Sequence, residues 1–497
     1  MAGRVTKSAR TRRTSAWQKE GAQPEGPPVP SRAHHGGSPP RGLASVPRSS
    51  VDVGLYGRLF RSLPPFAPTD AALTALAESM ADEPTRPGQP PVPDPAGNNP
   101  DIPAGYTYFA QFVDHDLTFD PVSSLERQND PDALQDFRTP RFDLDSVYGR
   151  GPTDSPYLYD NDDPVKLLVG HNVEKIFEPV DLPRNQQGRA LIGDPRNDVH
   201  VILGQLHLGF IRFHNACVDH LRSSFFPADQ LLDEARRLTR WHYQWVVVHD
   251  FLRRLAAGVL DEVLVPDGAT GGAKARLRFY KWRRRPFMPV EFSAAAYRFG
   301  HSMVRPAYRL NTRLEALPVL TPTRVPNPLQ HLGGFRNLPK RWTVDWSLFL
   351  PIGSSSPQVS RKIDTHLSAP LRQLPEDVDH DRRSLALLNM LRGRALGLPS
   401  GQAVAAAMGT AVPGDRLHLE GPTPLWFYLL RESEVLADGR HLGPTAARIV
   451  AEVVVGLLVG DPSSYLRMAP AWRPELPGEK PGEFSLVDLL RFAGVAG

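Results

Sequence analysis

The chain has a single cysteine, Cys217, in 497 residues. It can form no internal disulfide and no thiolate metal cluster. A reducing cytoplasm is the default expectation, with export lacking a signal left open. No run of about 18 apolar residues occurs, so no membrane span is expected. The basic stretch "RTRRTS" near the start lacks the apolar core of an export signal. Basic excess is missing from the body of the chain. Residues 1–50 hold nine Lys/Arg against Glu20 and Glu25, a net of +7, while the whole chain is +4. The remainder is therefore close to −3, and the alkaline pI belongs to the tail. A nucleic-acid enzyme would carry its positive charge on the fold, so no nucleic-acid partner is expected.

Proline is plentiful. "PEGPPVPSR" and "GGSPPRG" mark residues 1–50 as a disordered basic tail. "RPGQPPVPDPAGNNPDIPAG", residues 86–105, reads as an extended connection. No internal repeat is evident, and alternating strand patterns are scarce. Helical patterns dominate. They begin at "TDAALTALAESM", capped by Thr69. They recur near 105–119, 200–222, 229–257 and 290–304. "RRSLALLNMLRGRAL", "TPLWFYLLRESEVLA" and "PTAARIVAEVVVGLLVG" follow. The expected class is mainly α with few short strands, as one large domain over 51–497.

Five segments carry chemistry. In "AQFVDHDLTFDP", Gln111 and His115 are four apart and share a helix face. Asp114 and Asp116 point about 100° to either side of His115. In "TPRFDLDSVYGR", Thr139, Arg141, Asp143 and Asp145 alternate. In an extended loop, alternate residues turn their oxygens to one side, which suits Ca²⁺ with its roughly 6–8 oxygen ligands. An exposed acidic turn is the plainer reading. In "GDPRNDVHVILGQLHLGFIRFHN", His200, His207 and His214 recur every seven residues. Seven residues rise about 10.5 Å. Metal–nitrogen bonds are about 2 Å, so the three cannot share one ion. In "AAAYRFGHSMVRP", His301 sits among small residues that let something flat approach. In "LALLNMLRGRALGLP", Asn389 interrupts an apolar face, and a buried amide needs a partner. His301 could be that partner.

Together, and in this order, the five segments resemble the animal-type haem peroxidases of the peroxidase–cyclooxygenase superfamily. The resemblance spans roughly residues 55–470. It implies haem b between a distal and a proximal helix. His115 falls on the distal histidine, beside Gln111, and Arg196 on the catalytic arginine. His301 falls on the proximal iron ligand and Asn389 on the residue that holds it. Arg298 and Arg392 resemble partners of the haem propionates; surface ion pairs are the alternative. The resemblance also implies a calcium site of Asp116, Thr139, the Arg141 carbonyl, Asp143 and Asp145. Asp114 falls where the family forms a haem ester. A second ester needs a glutamate three residues after the arginine, where this chain has Val199, so at most one link is expected. The next residue, a haem-linked methionine in one mammalian enzyme, is His200.

The activity implied is oxidation of halide, thiocyanate or small organic donors by H₂O₂. His115 would move a proton between the peroxide oxygens. Arg196 would stabilise the developing charge. A fatty-acid dioxygenase of the cyclooxygenase branch is the main alternative. That branch carries a tyrosine three residues before the proximal histidine, a place held here by Arg298. Tyr297 stands one residue further away and about 100° off on an α-helix. A haem-bearing adhesion or interaction protein is a third reading, against which Gln111, His115 and Arg196 speak. Oligomeric state is not legible.

Overall fold

Residues 54–82, 95–118, 135–136, 140–170, 181–282, 285–320, 328–339, 341–374 and 383–496 are described by a computed structural model. The 1–50 tail, residues 86–94 of the Pro-rich connection and Thr139 lie outside them. The first helix, α1 (Asp70–Ser79), starts where its cap predicts: Thr69 Oγ1 accepts from the amide of Ala72 at 3.2 Å. Leu73 and Ala77, one turn apart, face the core. The second, α2 (Gly105–Leu117), is buried almost throughout. It begins at Gly105 because a side chain there would meet the Phe349 carbonyl at 2.9 Å. It ends at Thr118, whose backbone is extended.

The next helices are long. α3 (Val201–Ser223) packs on α2 through the stacked rings of Phe112 and Phe210, 4.4 Å apart. α4 (Leu231–Trp245) runs on through a π-helical stretch, Val246–Leu252, into Arg253–Ala256. That realises the periodicity of residues 229–257. α5 (Leu385–Ala395), α6 (Leu425–Ala437) and α7 (Pro444–Gly460) also match their patterns. The buried apolar side chains form one continuous cluster. Strands are short and peripheral, the largest sheet joining Gly54–Gly57 to Gln135–Asp136 and Met288–Pro289. The fold is mainly helical. Among the described residues no helix is long and apolar enough to cross a membrane.

One expected helix is not there. Residues 290–304 form a short α-turn, Val290–Ser293, and then a 3₁₀ helix, Ala296–His301. Ala295 breaks the α-helix with φ −138° and ψ −71°. Side chains take the carbonyls that an α-helix would use: Arg298 Nε donates to Ser293 O at 3.0 Å, and Trp426 Nε1 to Arg298 O at 3.2 Å. Satisfied this way, the backbone can wind more tightly, and residues three apart become eclipsed.

Candidate active site

A cavity lies between α2 and this 3₁₀ segment. Thr107, Tyr108, Gln111 and Asp114 line it from α2; Tyr297, Arg298 and His301 line it from the other side. Gln111 and Asp114 are about one turn apart, so a single helix face presents both. Arg298 and His301 share a wall because they are three apart on a 3₁₀ helix. Tyr297 lines the cavity as well, against the expectation that it is turned away. Its buried hydroxyl has no hydrogen-bond partner. Burial, with Asp114 nearby, pushes its pKa well above the ordinary tyrosine value.

Asn389 joins this wall from α5. Its Nδ2 lies 2.7 Å from His301 Nδ1, and its Oδ1 accepts a long 3.4 Å bond from Arg298 Nη1. With the amide donating, His301 carries its proton on Nε2. A half-turn of the amide reverses this, putting the proton on Nδ1 and the lone pair on Nε2. Arg392 is half-buried and is not one of the cavity-lining residues.

His115 is fully buried and stands beside the lining residues, not among them. Its Nδ1 is 2.8 Å from Asn197 Oδ1. An amide oxygen only accepts, so Nδ1 carries the proton and the basic lone pair is on Nε2. Asn197 Nδ2 in turn donates to His207 Nδ1 at 2.9 Å. One amide therefore sets two imidazole tautomers. Arg196 touches the same helix: its Nη2 donates to the His115 carbonyl at 2.9 Å. The guanidinium also pairs with buried Asp194 at 2.7 Å, and it does not line the cavity. Neither Asp194 nor Asn197 was singled out in the sequence.

The three heptad-spaced histidines have three separate roles. His200 caps α3, Nδ1 accepting from the Ile202 amide at 3.3 Å, and lines the cavity. His207 bonds Asn197. His214 bonds the Tyr148 hydroxyl at 3.1 Å and the Val165 carbonyl at 2.9 Å. Burial, then His331 and Arg336, lowers the His200 pKa to about 3, so its ring is neutral near pH 7.

Asp116, at the end of α2, meets Asp143 and Asp145, with ligand oxygens all within 4.8 Å of one another. The loop does not converge by extended alternation, as expected. Leu144 is left-handed, with φ 58°, and Asp145 begins a short helical turn, Asp145–Tyr148. That turn sends the Leu144 amide to Asp116 Oδ2 at 3.3 Å, a bond joined by the Tyr243 hydroxyl at 3.2 Å. Arg240 takes the Asp143 carbonyl at 2.7 Å. Three ionised carboxylates this close would repel by roughly 3 kcal/mol per pair at an effective dielectric of about 20. A divalent cation removes that cost. Arg141 is exposed beside this loop.

The chain is similar to known peroxidases. The family model for animal haem peroxidase matches residues 126–420, which contain Arg196, His301 and Asn389 and begin after α2. Chorion peroxidase of Aedes aegypti is 26% identical over 303 residues, covering 60% of this chain and 37% of that protein. Peroxidasin of Drosophila melanogaster is 25% identical over 233 residues, 44% of this chain and 14% of that one. The chain thus spans little more than a third of the first relative and less of the second. Among solved structures, peroxidase A from Dictyostelium discoideum superposes with a TM-score of 0.59 at 14% identity, covering 90% of this chain and 94% of that one. Fatty acid alpha-dioxygenase from Oryza sativa gives 0.53 at 15%, covering 81% and 74%. These superpositions establish a shared fold, and the family match covers more than half of the sequence: the chain belongs to the animal haem peroxidase family.

Proposed function

We propose that this chain uses H₂O₂ to oxidise halide, thiocyanate or small organic donors. The observation that carries the reading is the cavity with His301, bonded to Asn389, on one side and Gln111 and Asp114 on the other. The cavity suits haem. Its wall joins apolar side chains to buried polar atoms, those of Thr107, His200 and Tyr297, that have no hydrogen-bond partner among the described residues. Haem, when bound, supplies an iron that takes oxidising equivalents from peroxide and passes them to a donor. His301 would ligate that iron through Nε2, with the Asn389 amide turned to accept from Nδ1–H. A neutral amide gives the imidazole less anionic character than a carboxylate would. Asp114, which lines the cavity, would supply a single ester link, and Val199 offers no second one.

His115 Nε2 is the base in this reading. It takes a proton from one peroxide oxygen and returns it to the departing one, while Asn197 holds the tautomer. Arg196 brings positive charge beside His115, tempered by its pairing with Asp194, so its share should be the smaller. Ca²⁺ would occupy the Asp116–Asp143–Asp145 cluster and fix the end of α2. The deciding experiment is an absorption spectrum with H₂O₂ turnover, followed by acid–acetone extraction. A Soret band with turnover supports the reading; haem resisting extraction supports the Asp114 ester; a haem-free, inactive protein refutes both.

Tyr297 favours a second reading, a haem-dependent fatty-acid dioxygenase. Its hydroxyl lines a cavity that also presents Val304, Val319, Leu320 and Leu371. Oxygen uptake with a polyunsaturated fatty acid, without H₂O₂, would favour this over the peroxidase.

A further inference from the structure

Three polar groups among the cavity-lining residues have been given no individual role. Thr107 Oγ1, Tyr108 Oη and His200 Nε2 all belong to lining residues that are at least nine-tenths buried. Thr107 Oγ1 and His200 Nε2 have no hydrogen-bond partner among the described residues, and Tyr108 Oη has the Tyr308 hydroxyl beside it. Tyr108 and His200 are in contact, their rings stacked 5.0 Å apart. His200 is fixed by its surroundings. Its Nδ1 accepts from the Ile202 amide, so Nε2 can only donate, and its backbone is bridged to Gly333. The two hydroxyls can donate or accept. Asp114 is the one carboxylate among the cavity-lining residues, and it faces Tyr297. Around the three groups the wall is apolar: Val199, Val304, Val319 and Leu320.

We propose that Thr107, Tyr108 and His200 form a subsite for the carboxylate of a small apolar molecule. A carboxylate only accepts, and its two oxygens offer about four lone-pair sites, enough for three donors. The valines and Leu320 suit the apolar body. Two sources share this chemistry: a carboxylated organic donor and a propionate of the cofactor. The inference rests on the haem-peroxidase reading for the second source alone.

The test uses the full chain as purified, with benzoate as the probe. Binding is read by the Soret difference spectrum where haem is present and by calorimetry where it is not. His200→Leu should weaken benzoate binding by about tenfold or more, the loss of one hydrogen bond to a charged group. His200→Gln, which keeps a donor, should restore much of it. Thr107→Val, nearly the same shape, should weaken it less. If the source is the cofactor, His200→Leu instead weakens retention of haem and spares its dimethyl ester. The subsite is overturned if folded His200→Leu and Thr107→Val change neither benzoate affinity nor propionate-dependent haem retention by more than twofold. A protein with no Soret band that still binds benzoate through His200 would refute the peroxidase reading and keep the subsite.

Discussion

Arg298 and His301, on one wall of the cavity, are both bonded to Asn389. On the other wall, Thr107 and His200 keep polar atoms with no hydrogen-bond partner among the described residues. The first wall is a short 3₁₀ turn locked by side-chain bonds to its own carbonyls; the second is the meeting of two long helices. A group whose bonds are already made within the protein is held in place. A buried group with bonds still to make is unfavourable until something arrives to make them. The first arrangement suits a ligand that must stay, the second a molecule that comes and goes.

Substitutions can break this contrast. The largest effect is expected at His301: His301→Ala should abolish the Soret band and all turnover, as the absorption spectrum would show. Next is His115→Ala, expected to lower turnover with H₂O₂ by about 10²–10⁴ while haem content stays constant. Unchanged turnover would remove His115 from the mechanism. Asn197→Leu frees the His115 ring and should reduce turnover by roughly 10–100-fold, as measured by steady-state kinetics. At the end of α2, added Ca²⁺ should raise the melting temperature by a few degrees, and Asp143→Asn should remove the response; calorimetry with and without a chelator reads this.

The smallest effect is on acid stability. Folded His200 stays neutral down to about pH 3, whereas an unfolded histidine takes a proton near pH 6.5. The unfolded state therefore binds more protons in that window. Stability is lost as pH falls below about 6.5, and the loss levels off near pH 3. His200→Phe should reduce the slope of unfolding free energy against pH by up to about 1.4 kcal/mol per unit between these limits. Denaturant titrations at several pH values measure it.

Much of this arrangement was legible in the sequence. The spacing of Gln111 and His115, the aspartates on either side of His115, and Asn389 in an apolar helix were all readable. So was the capping of α1 by Thr69. Other features were present but passed over. Leu486–Phe492 is a helix with a capping box, Ser485 and Asp488 exchanging bonds, and "SLVD" announces it. The 3₁₀ turn was not readable. Its residues favour an α-helix locally, and bonds from Trp426 and the Arg298 side chain override that preference.

Periodicity and side-chain chemistry in the sequence determined that the chain is mainly helical. They also determined which histidines and carboxylates can do acid–base or ligand chemistry, because helix spacing fixes which groups share a face. Tertiary structure alone decided which of those groups meet. Asn197 setting the tautomer of His115, Arg196 reaching the His115 carbonyl, the Leu144 turn meeting Asp116 and His200 reaching the cavity all depend on contacts between segments distant in sequence. Such contacts follow from how whole helices pack, and that packing leaves no periodic trace in the residues that make it.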